Sequence, residues 1–119
     1  GIGPALQLLD RMRAEGVQPD SVTYTSLINA ARHEGTGDSV TLARAVFDKM
    51  PPAARNHRTY TVMMQALVRV GKRSEALSLL DEAARHGVYP NAFMYRAAMQ
   101  AAGQDRRLKG DVEGRMREE

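Results

Sequence analysis

The 119-residue sequence has no cysteine, no tryptophan, two phenylalanines and four tyrosines. Without cysteine there is no disulfide, no thiolate zinc site and no cysteine nucleophile. With aromatics at 5% of residues, a core has to be built from Leu, Ala, Met and Val within the 43% that are hydrophobic. No apolar run approaches the roughly 20 residues that a membrane-spanning helix needs, so no membrane span is expected. Residues 1–4 resemble neither a secretory signal nor a transit peptide. Catalytic signatures are missing too. His33, His57 and His86 show no HExxH spacing, and the carboxylates are scattered rather than clustered. The Gly-rich stretch 35–39, GTGDS, lacks the lysine and flanking strand of a phosphate loop. The expectation is a binding module, not an enzyme, with no metal and no cofactor.

What is present is a repeat. In 57–91, Tyr60, Met63, Met64, Leu67 and Val68, then Ala76, Leu77, Leu79, Leu80, Ala83 and Ala84, recur at three- and four-residue steps. That period places each set on one face of a helix. Gly71 ends the first helix, Ser74 is the expected N-cap of the second, and Gly87 with Pro90 stops it. One unit earlier, SVTYTSLINAARHEG (21–35) matches HRTYTVMMQALVRVG (57–71), and Phe47-Asp48 matches Leu80-Asp81. Earlier still, ALQLLDRMRAEGVQPD (5–20) matches EALSLLDEAARHGVYPN (75–91), and AFMYRAAMQAAG (92–103) restarts the first helix. Tyr24, Tyr60 and Tyr95 stand 36 and 35 residues apart.

A helical hairpin of this size cannot bury its apolar faces alone, so such units stack into a solenoid. The expected fold is all-α, with first helices at 22–34, 57–70 and 92–102. Its expected core holds Leu27, Ala31, Phe47, Met64, Leu67, Leu77, Leu80 and Met99. The turn 35–39 offers Asp38 or Ser39 as the next cap, and Pro51-Pro52 stop the helix that follows. The chain divides into a half repeat (5–20), two full repeats (21–56 and 57–91), a further half repeat (92–104) and a polar tail (105–119). Because it begins on the second helix of a repeat, it is expected to be part of something longer.

The VTYT and RTYT openings, EALSLLDEA, and the closing GVQPD and GVYPN resemble the pentatricopeptide-repeat family, over residues 5–104. The aromatic and small-residue signature of the tetratricopeptide repeat is missing. The resemblance implies a right-handed α-solenoid whose first helices line a groove for single-stranded RNA, one base per repeat, in a mitochondrion or chloroplast. It implies that the residue after the Tyr and the last residue of the repeat choose the base. Here these are Thr25 with Asn56 and Thr61 with Asn91, a combination that in similar proteins goes with adenine. An amide beside a hydroxyl can both donate and accept, as an adenine edge requires. The second residue of each repeat is implied to pack on the base face; Val22, Arg58 and Phe93 stand there, Arg58 departing from the usual aliphatic. Arg96 follows the last Tyr and fits no base rule.

Asp20, Asn56 and Asn91 also stand where simple N-caps would. The net charge is +3, and the basic residues gather on the first helices. Residues 57–73 carry Arg58, Arg69, Lys72 and Arg73 with no acid, whereas no second helix is net basic. Backbone phosphates would be met there, by Arg69 and, one repeat earlier, His33. The partner that the resemblance implies is RNA, in organellar RNA metabolism or an organellar ribosome. The alternative is a scaffold that holds other proteins of a large assembly in the same groove.

Overall fold

Asp20, Asn56 and Asn91 each open a helix by the same device. Their side-chain oxygens accept the backbone N–H three residues on, from Thr23 (2.9 Å), Thr59 (3.0 Å) and Met94 (3.0 Å). Each thereby satisfies one of the amides that a helix start leaves unpaired. The computed structural model describes residues 2–17 and 19–103, with Gly110 and Gly114. Apart from those two glycines, the expected tail at 105–119 lies outside the described residues. The described residues from 2 to 103 form six α-helices: α1 (Ile2–Ala14), α2 (Ser21–Glu34), α3 (Gly37–Lys49), α4 (His57–Arg69), α5 (Arg73–Arg85) and α6 (Ala92–Ala102). No strand occurs among the described residues.

Two expected caps are corrected. Gly71 takes a left-handed φ of 78°. It completes a Schellman ending for α4, with Lys72 N–H on Leu67 O (3.0 Å) and Gly71 N–H on Val68 O (3.0 Å). Lys72 then also supplies the first carbonyl of α5, to Ala76 N–H. The next helix therefore starts at Arg73, and Ser74 lies inside its first turn instead of capping it. Helix α3 is capped by Thr36, not by Asp38 or Ser39. Thr36 Oγ1 accepts from Ser39 N–H while Ser39 Oγ accepts from Thr36 N–H, both at 3.1 Å. Ser39 is thus the third member of a reciprocal capping box.

Helices α2, α4 and α6 pack side by side, with α3 laid across α2 and α4, and α5 across α4 and α6. First helices form one layer and second helices the other, the arrangement of an α-solenoid. Phe47, Met64, Leu67, Leu80, Leu27 and Ala31 are buried between the layers, whereas Leu77 and Met99 sit half-buried at the core's edge. Phe47 and Tyr60 meet edge to face, ring centroids 5.4 Å apart. Burial pushes the Tyr60 phenol up, with the nearby Arg55 charge opposing it.

Arg55 is a charge in this core, 7% exposed. It stands where the other two links have Pro19 and Pro90. Its guanidinium donates to Phe47 O (2.8 Å) and Met50 O (3.2 Å) and lies 4.4 Å from the Phe47 ring centroid. Its other side pairs with Glu82 at 3.4 Å, and Glu82 also meets Arg44 at 3.7 Å. A proline would close the link by stiffness. Arg55 does so by satisfying the carbonyls at the end of α3 and tying them to α5.

Candidate nucleic-acid interface

The exposed face of α2, α4 and α6 carries three concavities. The first, about 220 Å³, is lined by Ser21, Val22, Thr25, Ser26, Asn29, Asn56 and Arg58. The second, about 440 Å³, is lined by Arg32, His57, Arg58, Thr61, Val62, Gln65, Asn91 and Phe93. Each brings together one expected base-reading pair with the second-position residues on either side. In the first these are Thr25 and Asn56 between Val22 and Arg58. In the second they are Thr61 and Asn91 between Arg58 and Phe93. Arg58 belongs to both. Val22 and Phe93 are 71% and 66% exposed, apolar surface standing open at equivalent places.

Helix capping fixes how the two amides point. Because Asn56 Oδ1 and Asn91 Oδ1 are taken by backbone N–H groups, each Nδ2 turns outward as a donor. The cap, rather than a choice of amide flip, sets that orientation. The hydroxyls are committed as well. Thr61 Oγ1 donates to His57 O at 2.8 Å, so toward the groove it can only accept. Thr25 Oγ1 lies 2.9 Å from Thr59 Oγ1, whose own proton goes to Asn56 Oδ1 (3.0 Å). Thr25 is therefore the donor to Thr59, and it too is left with acceptor capacity only. Each pair offers one donor from the amide and one acceptor from the hydroxyl.

The links that hold the two expected reading amides are tied down by the first residue of each full repeat. Ser21 Oγ donates to Ala54 O (2.6 Å) and His57 Nε2–H donates to Tyr89 O (2.7 Å). Both carbonyls lie two residues before the capping Asn. Ser21 does more, because its oxygen also accepts from Asn56 Nδ2 at 3.2 Å. Asn91 Nδ2 has no such partner among the described residues.

The third concavity, about 340 Å³, is lined by Arg32, His33, Gln65, Val68, Arg69 and Gln100, so it brings the two expected phosphate contacts together. No acidic residue lines any of the three among the described residues. The Arg69 side chain is pressed against Gly35, whose φ is 66°; a Cβ there would lie 2.6 Å from Arg69 Nε. Gly35 ends α2, where unpaired carbonyls favour a cation, so Arg69 also has a structural seat. On the opposite layer the charges pair among themselves: Arg44 with Asp48 (3.2 Å), Glu75 (4.0 Å) and Glu82.

The sequence reading missed Arg32, Asn29, Gln65 and Gln100 as groove residues. A signal was available. Asn29, Gln65 and Gln100 each stand four residues after Thr25, Thr61 and Arg96, one helical turn along the same face. Among the described residues no group of three His, Cys, Asp or Glu could hold a metal, and no helix is long and apolar enough to cross a membrane.

A pentatricopeptide repeat domain model matches residues 7–51, and a PPR repeat model matches residues 58–88. Pentatricopeptide repeat-containing protein 10, chloroplastic, of Zea mays is 37% identical over 102 residues, 83% of this chain and 12% of that protein. A chloroplastic pentatricopeptide repeat-containing protein of Arabidopsis thaliana, At3g09650, is 26% identical over 106 residues, 87% of this chain and 13% of that protein. The crystal structure of the maize pentatricopeptide repeat protein PPR10 superposes with a TM-score of 0.82 at 26% identity, over 98% of this chain and 17% of that one. The chain thus spans under a fifth of the length of each of these proteins.

Proposed function

The chain belongs to the pentatricopeptide-repeat family, and on that premise we propose that it binds single-stranded RNA along the α2–α4–α6 face, one base per repeat. Thr25 with Asn56 and Thr61 with Asn91 each face one adenine. The observation that carries this reading is the pairing of an outward amide donor with a hydroxyl acceptor in each of two equivalent concavities. Adenine offers the complement, a ring nitrogen that accepts beside an exocyclic amine that donates; guanine and uracil present a ring N–H beside a carbonyl instead. Val22, Arg58 and Phe93 take the base faces, two by apolar contact and one by guanidinium stacking. His33 and Arg69 meet the backbone. The module binds and does not catalyse. Its setting is organellar RNA metabolism, in keeping with the two relatives named chloroplastic.

The test compares single-stranded RNAs carrying AA, GG, UU or CC at the facing dinucleotide, across a salt series. Tightest binding to AA, weakening steeply with salt, is the expected result. Cytosine shares adenine's acceptor–amine pattern on a smaller ring, so the AA–CC difference reads the stacking contribution. Affinity without base preference and without salt dependence would overturn the proposal and favour a protein segment in the groove.

A further inference from the structure

Arg32 is a cation of this groove that the next repeat does not carry forward. The equivalent position in the second full repeat is Val68. Arg32 lines both the second and the third concavities, so it stands at the boundary between the base-reading site and its neighbour. It is held in place. Nη1 donates to Gln65 Oε1 at 2.7 Å, a charge-assisted bond from the last turn of α2 to the middle of α4. Gln65 is four residues beyond Thr61, so the guanidinium is anchored one helical turn from the reading pair, about 5–6 Å along the same face.

The guanidinium is also unsaturated. Nη2 meets only the His33 ring, at 3.5 Å, and the buried Nε has no hydrogen-bond partner. A planar cation whose exposed Nη2 is held only at 3.5 Å, in a concavity lined by no described carboxylate, fits the acceptor oxygens of an anion. Arg69, pressed against Gly35, is less free to play that part.

We propose that Arg32, positioned by Gln65, takes the phosphodiester next to the nucleotide read by Thr61 and Asn91. This deepens the RNA-binding reading and rests on it. The Arg32–Gln65 pair does not recur, since Val68 stands at the next such position, so it does more than add affinity. It marks one linkage and so fixes the register of the strand on the reading pairs.

The experiment scans a single uncharged methylphosphonate linkage along a short single-stranded RNA bound to the protein in full, wild type and Arg32→Gln. In wild type one linkage should be far more sensitive than the rest, by about tenfold or more, the scale of a charge-assisted hydrogen bond. In Arg32→Gln that sensitivity should vanish, and the salt slope should fall by about 1. Gln65→Ala keeps the charge but releases it, so the sensitivity should spread over neighbouring linkages instead of disappearing. Wild type that binds RNA with all linkages equivalent overturns the Arg32 assignment alone, as does a sensitive linkage unchanged in Arg32→Gln. Wild type that fails to bind RNA at all overturns both this assignment and the function it rests on.

Discussion

The two proposed reading sites carry the same residues, Thr and Asn, yet they are not in the same state. In the first, Thr25 is only 6% exposed and gives its proton across to Thr59, where Thr61 gives its own within α4 to His57 O, while Asn56 Nδ2 is pinned to Ser21. In the second, Thr61 is half-buried, Asn91 Nδ2 has no protein partner among the described residues, and the concavity is about twice as large. The difference comes from residues outside the pair. Thr59 faces Thr25, but its counterpart in the next repeat is Met94, which cannot offer a hydroxyl; Ser21 reaches the amide, but its counterpart His57 bonds only the link carbonyl. A base at the first site must compete with bonds already made, and one exchanged hydrogen bond contributes about 0.5–1.5 kcal/mol at most. On the proposed function, the Thr–Asn pair alone does not set the strength of recognition. The first residue of its own repeat and the third residue of the next then set how many of the pair's groups are already bonded within the protein.

The comparison assumes one rigid scaffold under both sites, and that is the largest thing to break. Phe47→Ala removes a fully buried ring held between Arg55, Arg44 and Tyr60. It should cost about 3–5 kcal/mol in chemical unfolding and weaken both sites together. Damage confined to one would show that they are separately supported. The amides themselves come next. Each is an N-cap worth about 0.5–2 kcal/mol, but Asn56 also holds Thr59 and Ser21, so Asn56→Ala should destabilise more than Asn91→Ala. Equal losses would mean that the extra bonds carry no weight. Ser21→Ala should act more gently: stability falls by under about 1 kcal/mol, while adenine preference at the first site rises toward that of the second.

The smallest effect separates capping from reading. Asp20 caps α2 as the two Asn residues cap theirs, and the Thr23 hydrogen bonds hold its carboxyl below the ordinary 3.8. A lowered folded value means that its contribution is complete above the unfolded value. It should be lost progressively as pH drops below 3.8 and through the folded value. Asp20→Asn should flatten that acid limb of the stability curve without changing base preference.

Much of this was legible in the sequence. The period of Tyr24, Tyr60 and Tyr95 gave the helices, and the repeat alignment gave the residues that share each concavity. What could not be read were the bonds between repeats. That Thr59 lies against Thr25 depends on how α4 docks on α2, across 34 positions of chain. Ser74 was misread because a Schellman turn and a helix start can share Lys72, which no local composition rule reveals. Arg55 was overlooked because the position looks like an ordinary polar link; only the fold turns it inward. Arg32 was missed because its partner Gln65 is a whole repeat away.

The central claim is that identical reading pairs differ in how much they read. One guanine is walked along an adenine-containing RNA bound to wild type, Asn56→Asp and Asn91→Asp. Aspartate keeps the cap, as Asp20 does, but replaces the outward donor with an acceptor. Facing Thr61 and Asn91, guanine should cost wild type about 1–3 kcal/mol, and Asn91→Asp should reverse that cost. Facing Thr25 and Asn56, both the cost and its reversal by Asn56→Asp should be smaller. Equal costs at the two positions, or a larger one at the first, would contradict the account.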